Sequence, residues 1–188
     1  KICGTSRASM SGSLVDDPLY SLKSIEFLGR RVPIVMQNLN GPCPLLSIAN
    51  TLLLRNAIQI RGGAERGQIA QSELLALVAA RLLDTNTAKE GASDELARNL
   101  EQNVSDAVPL LPKLTTGLDV NVGFRKVTDF EFTGELSLFD LCDVGLFHGW
   151  LVDPRDAPTA AAVGSSTYNQ LIERALSAPD SPPPPPPP

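Results

Sequence analysis

The sequence predicts an α+β fold, in which helices dominate the first part of the chain and strands the second. Up to about residue 107 the apolar residues recur every three or four positions, as on one face of a helix. From about residue 118 onward they alternate with polar residues, as in strands. A hairpin pattern precedes the first helix, so we expect that helix to pack against an antiparallel sheet.

The hairpin and the first helix are predicted from residues 20 to 55. Alternation from Tyr20 to Phe27 indicates an edge strand, and Gly29-Arg30-Arg31 is expected to turn the chain into a second strand from Val32 to Met36. The helix is expected to run from Pro44 to about Arg55, because a proline at the first helical position loses no hydrogen bond. Its apolar face comprises Leu45, Leu46, Ala49, Leu52 and Leu53.

Two more helices are expected between residues 72 and 108. Ser72 is predicted to cap the first of them, and the polar stretch from Asp84 to Gly91 to follow it as a linker. Ser93 begins the second helix, with acidic residues in its first turn, and Pro109 and Pro112 interrupt helicity afterwards. The apolar faces are Leu74, Leu75, Val78 and Leu82, and then Leu96, Leu100, Val104 and Ala107.

The second half is expected to form the larger part of the sheet. Alternation from Val120 to Phe124 and at Phe130 and Phe132 indicates two strands, and the apolar run from Leu136 to Cys142 is the best strand candidate. The stretch from Leu146 to Val152 fits either a strand or an ordered turn.

A short amphipathic helix from Thr167 to Leu176 is expected to close the folded domain, capped by Ser166 or Thr167. The domain is predicted to span residues 20–178, after a disordered leader over residues 1–19 that is rich in Ser and Gly. Residues 179–188 are predicted to form a polyproline linker, for which a stiff spacer is the main interpretation and an SH3 or WW domain contact the alternative.

Cys43 is the leading candidate for chemistry. It lies between two prolines, directly before the first helix, and a helix N-terminus lowers the pKa of a cysteine thiol and favours the nucleophilic thiolate. Gln37, six residues earlier, carries an amide that is able to donate a hydrogen bond to the oxyanion of a tetrahedral intermediate. The alternative interpretation is a buried structural cysteine in a stiff turn that Gln37 closes. From the residues alone, both interpretations stay open.

The chain also resembles a known family. The segment Gln37 to Leu46 is similar to the nucleophile segment of the MINDY family of deubiquitinating cysteine proteases, and further similar blocks follow in the same order. These blocks are Gln102-Asn103-Val104, Leu111-Pro112-Lys113-Leu114, Thr116-Gly117-Leu118-Asp119-Val120-Asn121-Val122, Phe147-His148-Gly149-Trp150-Leu151-Val152-Asp153-Pro154 and Tyr168-Asn169-Gln170-Leu171.

The resemblance implies a thiol isopeptidase that acts on polyubiquitin and prefers chains linked through lysine 48 of ubiquitin. It implies that Cys43 is the nucleophile and Gln37 the oxyanion donor, and that Val120, Trp150 and Tyr168 bind the apolar patch of the distal ubiquitin. The expected α+β arrangement is also the general plan of papain-like cysteine proteases. For Trp150 a place in the core is the alternative.

This assignment does not include a general base. A cysteine hydrolase needs a base within hydrogen-bond reach of its thiol, and His148 is the one histidine of the chain. In the resemblance, however, His148 falls in a block that does not supply the base, so we expect a structural role with a backbone or carboxylate partner. The catalytic histidine is expected downstream, in a part of the catalytic domain that these residues do not include. The alternative function is a catalytically silent ubiquitin-binding module.

Composition restricts the classes of protein to which the chain could belong. The chain has 188 residues and a net charge of −5, and its 16 Lys and Arg residues are scattered, which argues against nucleic acid as a partner. No apolar run is long enough for a membrane span, and no signal peptide is evident. Three widely spaced cysteines fit neither a disulfide framework nor a zinc site, and Cys142 is expected in the core. We therefore expect a cytoplasmic or nuclear protein that needs no metal or cofactor.

Overall fold

The computed structural model describes residues 17–38 and 44–177. The fold combines helices with a small antiparallel sheet, which agrees with the predicted α+β class. Short 3-10 helices cover Gly63–Arg66 and Val108–Thr115. The strands and α-helices, in chain order, are β1 (Leu19–Phe27), β2 (Arg30–Val35), α1 (Pro44–Leu54), β3 (Gln68–Ala70), α2 (Gln71–Thr85), α3 (Asp94–Ala107), α4 (Ser137–Leu141), α5 (Ala157–Val163) and α6 (Tyr168–Ser177).

The sheet has three antiparallel strands in the order β2-β1-β3. The β1–β2 register pairs Leu22 with Val35 and Phe27 with Arg30. Leu28 and Gly29 connect the strands with φ angles of 49° and 71°, as a two-residue hairpin turn of type I′ requires. The turn therefore lies one residue earlier than predicted, because Gly29 provides the second left-handed position.

Helix α1 occupies the centre of the core. It begins at Pro44 as predicted, and every residue of its predicted apolar face is buried, together with Ile48. It packs against β2 and α2, and Leu111 and Leu114 of the second 3-10 helix complete the cluster around it. The element that follows Cys43 in the sequence is thus the most buried one among the described residues.

The cap predicted for α2 is wrong, because Ser72 lies inside the first turn. The helix begins at Gln71, and the Ser72 hydroxyl donates to Asp17 Oδ2 at 2.5 Å. The backbone N–H of Ser72 donates to Asp17 Oδ1 at 3.1 Å. A carboxylate that precedes β1 therefore performs the capping, which satisfies a free N–H and complements the helix dipole. Asp17 and Leu19, both in the predicted leader, are ordered; the predictions for residues 1–16 and 178–188 lie outside the described residues.

Helix α3 begins as predicted, since the Ser93 hydroxyl accepts a hydrogen bond from Leu96 N–H at 3.3 Å. Its predicted apolar face is only partly covered: Ala107 is buried, whereas Leu96 is about half exposed. After Ala107 the chain continues into a 3-10 helix that contains Pro112, so the prolines end the α-helix without ending helicity.

The strands predicted for the second half are wrong. Among residues 116–177, all of which the structure describes, one isolated bridge between Val122 and Phe130 is the sole strand-like pairing. The strongest strand candidate, Leu136 to Cys142, contains helix α4 instead. Its buried residues Leu138, Phe139 and Cys142 are spaced as on one helix face, a pattern that a short apolar run does not distinguish from a buried strand.

Cys142 is buried in the core, as predicted. Burial raises the pKa of its thiol to about 11, because the thiolate would lose its hydration. At neutral pH this sulfur is protonated and shielded, so it is not a nucleophile.

Candidate functional site

The segment after β2 presents Gln37 at the surface, three residues before the Asn-Gly-Pro-Cys stretch begins in the sequence. Two hydrogen bonds fix this segment on either side of Gln37. Met36 N–H donates to Ser21 O at 2.8 Å, and the Asn38 side-chain amide donates to Leu19 O. Gln37 itself is exposed. The backbone that carries the predicted oxyanion donor is therefore an extension of the β1–β2 pairing.

Cys43 lies outside the described residues, so its interactions stay a prediction. The described helix begins at the next residue, Pro44, and its first turn contains no acidic side chain. The positive end of the α1 dipole is thus not offset by a carboxylate of that turn. This environment is the electrostatic requirement for a thiolate at the residue that precedes the helix.

His148 has the backbone partner that the sequence analysis expected. Its Nδ1 accepts a hydrogen bond from the backbone N–H of Trp150 at 3.3 Å, and the backbone N–H of His148 donates to Val127 O at 2.9 Å. The ring packs edge-on against Phe130 at a centroid distance of 5.0 Å. Nε2 is buried and has no hydrogen-bond partner among the described residues. These contacts hold the imidazole as part of a packed turn.

Trp150 and Tyr168 form an exposed aromatic pair, which we call the Trp–Tyr patch. Their ring centroids lie 5.5 Å apart at an interplanar angle of 48°. Trp150 is 58% exposed and Tyr168 38%, so Trp150 does not fill the core. A large aromatic pair in contact with solvent is a feature of protein-binding surfaces.

Backbone hydrogen bonds bring the segment of Val120 to the same region. Tyr168 N–H donates to Val122 O at 2.9 Å, and Asn169 N–H donates to Asn121 Oδ1 at 3.1 Å. Val120 is 43% exposed next to these contacts. Three residues that are far apart in the sequence, Val120, Trp150 and Tyr168, thus lie on segments that the structure ties together.

Asn121 is a residue whose role the sequence analysis missed. It accepts from Asn169 N–H and so caps α6, where we had expected the side chain of Ser166 or Thr167. Its side-chain amide also donates to Thr167 Oγ1 at 3.0 Å. Asn121 belongs to one of the motif blocks, but the sequence contains no signal that pairs it with a helix residue 48 positions away.

Comparison with known proteins places this arrangement in a family. The model of the MINDY deubiquitinase family matches residues 18–182. The chain is 44% identical over 162 residues to human ubiquitin carboxyl-terminal hydrolase MINDY-1, which covers 86% of the chain and 34% of that protein. It is 44% identical over 164 residues to human ubiquitin carboxyl-terminal hydrolase MINDY-2, covering 87% of the chain and 26% of that protein. The zebrafish (Danio rerio) MINDY-1 is 43% identical over 157 residues, which cover 84% of the chain and 29% of the protein. The chain thus spans about a third or less of the length of these relatives.

Proposed function

The chain belongs to the MINDY deubiquitinase family, and from this premise we propose that it is part of a cysteine-type ubiquitin hydrolase. The proposed substrate is polyubiquitin, with a preference for chains linked through lysine 48 of ubiquitin. The observation that carries the proposal is the match of the family over residues 18–182, which include both predicted catalytic positions, Gln37 and Cys43.

In the proposed reaction, the Cys43 thiolate attacks the carbonyl carbon of the isopeptide bond. The carbonyl oxygen becomes an oxyanion, to which the Gln37 amide donates a hydrogen bond. The tetrahedral intermediate collapses, the C–N bond breaks, and the lysine amine leaves with a proton from the protonated base. Water then hydrolyses the thioester, which releases the ubiquitin carboxylate and returns the thiol. The exposure of Gln37, on the strand extension that precedes the nucleophile position in the sequence, supports its role as donor.

The base in this proposal is a histidine outside these 188 residues. His148, the single histidine of the sequence, packs edge-on against Phe130, and its Nδ1 accepts from a backbone N–H. Nε2 is shielded from solvent, so the imidazole is poorly placed to exchange a proton with a catalytic thiol.

The proposed substrate-binding surface is the Trp–Tyr patch together with Val120. Aromatic residues dominate the energetics of protein interfaces, and this pair offers its rings to a partner without any change in the fold. An apolar patch on ubiquitin is the complementary surface.

Two further proposals concern the fold and the cellular location of the enzyme. The central helix α1 packs on the sheet directly after the nucleophile position, which supports a papain-like plan. No helix among the described residues is long and apolar enough to cross a bilayer. We propose a cytoplasmic or nuclear location, where polyubiquitin is available as a substrate.

The test is covalent labelling with a ubiquitin whose C-terminus carries an electrophile. We expect the full-length protein to gain the mass of one ubiquitin, and peptide mapping to place the adduct on Cys43. Cys142 should stay unmodified, because its buried thiol has a pKa of about 11. Binding of ubiquitin without labelling would instead support the silent binding module. The absence of both labelling and binding would refute the proposal.

Trp150→Ala tests the recognition surface. We expect KM for polyubiquitin to rise about 30-fold, since a hot-spot aromatic contributes about 2 kcal/mol or more, and kcat to change little. The matched control is Phe132→Ala, which removes an aromatic ring that is 78% exposed and makes no ring contact with the Trp–Tyr patch. Equal effects of the two substitutions on KM would contradict a specific role for Trp150.

A further inference from the structure

At one position on the outer edge of β2, a side chain from α1 forms hydrogen bonds with the outward-facing backbone groups. Met36 N–H bonds to Ser21 O of β1, so the preceding residue, Val35, directs its own N–H and C=O away from β1. Asn50 of α1 meets both groups. Val35 N–H donates to Asn50 Oδ1 at 2.8 Å, and Asn50 Nδ2 donates to Val35 O at 2.9 Å.

This pair of bonds connects the two elements that the proposed catalysis needs in a fixed relation. Val35 precedes Gln37 by two residues, and Asn50 lies in the helix that begins directly after Cys43. Val35 is buried and Asn50 half-buried, so both bonds are shielded from competition with water. A primary carboxamide offers one acceptor and one donor in a plane, as a neighbouring strand would.

We propose that Asn50 is the positioning residue that holds the oxyanion donor Gln37 in place relative to the start of α1. The proposal rests on the proposed function and adds a residue to it. Asn50 touches neither substrate nor reacting atoms in this proposal; it acts through Gln37. The contacts of Met36 and Asn38 fix the Gln37 segment against β1, and Asn50 fixes it against the helix. An oxyanion donor must be placed within a fraction of an ångström, so loss of this link lowers the rate.

The chain contains a matched control for the pair of hydrogen bonds between Asn50 and Val35. Asn86, at the end of α2, also donates two side-chain hydrogen bonds, to Leu82 O at 2.7 Å and to Leu141 O at 2.8 Å. It is half-buried and joins two elements, but not those that carry Gln37 and Cys43. Asn50→Leu and Asn86→Leu thus each remove two hydrogen bonds while keeping the number of side-chain heavy atoms and the branching at Cγ, and only the first touches the proposed link.

The first measurement is the NMR spectrum of the Gln37 side-chain amide, assigned through its loss in Gln37→Ala. Asn50→Leu is expected to broaden or split this signal, and Asn86→Leu to leave it unchanged. An unchanged signal in Asn50→Leu would overturn the proposal. If Asn50→Leu fails to fold, Asn50→Asp replaces it, because a carboxylate still accepts from Val35 N–H but has no donor for Val35 O; it too is expected to perturb the signal.

The second measurement is turnover by the full-length protein of ubiquitin carrying a fluorogenic C-terminal leaving group. Asn50→Leu is expected to lower kcat tenfold or more with KM within about twofold, whereas Asn86→Leu keeps both near wild type. In Gln37→Ala, adding Asn50→Leu should lower kcat no further, since the residue through which Asn50 acts is already lost. Equal losses in the two Leu variants, or multiplicative losses with Gln37→Ala, would overturn the proposal. A wild-type protein without turnover would refute the proposed function, while the Gln37 signal would still decide whether Asn50 places that side chain.

Discussion

Cys43→Ala is expected to lower the hydrolysis of lysine 48-linked polyubiquitin by about 10⁴-fold or more, to background. Removing the nucleophile of a hydrolase leaves only the small rate that substrate binding and oxyanion stabilisation provide. Binding of ubiquitin should persist, because the Trp–Tyr patch is unchanged. Cleavage of diubiquitin followed by electrophoresis, together with a binding titration, checks both parts of this expectation.

Cys142→Ala is the control for this experiment. It also removes a thiol, but one in the core, so it should cost some stability and leave turnover near wild type. Residual cleavage by Cys43→Ala at more than about one per cent of the wild-type rate would be incompatible with Cys43 as the nucleophile.

Gln37→Ala is expected to lower kcat by about a hundredfold or more with little change in KM. The donor acts on the oxyanion, which is absent from the ground state, so its loss affects the transition state selectively. The substitution should also weaken binding of ubiquitin aldehyde, whose adduct with the thiol carries a comparable oxygen. Folding should be unaffected, because the side chain is exposed.

Gln59→Ala is a suitable comparison, since Gln59 is an exposed glutamine that makes one long hydrogen bond of 3.5 Å to Asn56. We expect it to retain wild-type kcat. If Gln37→Ala raised KM and left kcat intact, Gln37 would bind substrate instead of stabilising the oxyanion.

The sequence was sufficient to predict the β1–β2 hairpin and helices α1 to α3, because their signals are local, whereas β3 was not predicted. Helix α1 has a proline at its first position and a continuous apolar face, and α3 has a serine cap; both signals act within one or two turns. Other features, in both halves of the chain, depend on contacts between distant segments. The Asn121 cap of α6 and the Asp17 cap of α2 join residues about 50 positions apart, which no local pattern encodes.

The candidate site shows the same division. Residue types and position in the sequence made Gln37 and Cys43 candidates, and the resemblance to the MINDY family predicted the three ubiquitin-binding residues. The exposure and close approach of Trp150 and Tyr168 became evident only in the structure, as did the two hydrogen bonds between Asn50 and Val35. Asn50 lies on a helix whose sequence pattern is dominated by leucines, so its half-buried position against Val35 had no signature.

The composition of β2 has a consequence for self-association. A strand at the margin of a sheet is a template for another chain whenever its outward amides are open. In β2 the outward positions are those that pair with Leu22, Ser24 and Glu26. The backbone N–H and C=O of Val35 are hydrogen-bonded to Asn50, Pro33 has no amide hydrogen, and Arg31 carries a charge. This margin therefore resists the addition of a foreign strand, which protects the chain from aggregation along the same strand that delivers Gln37.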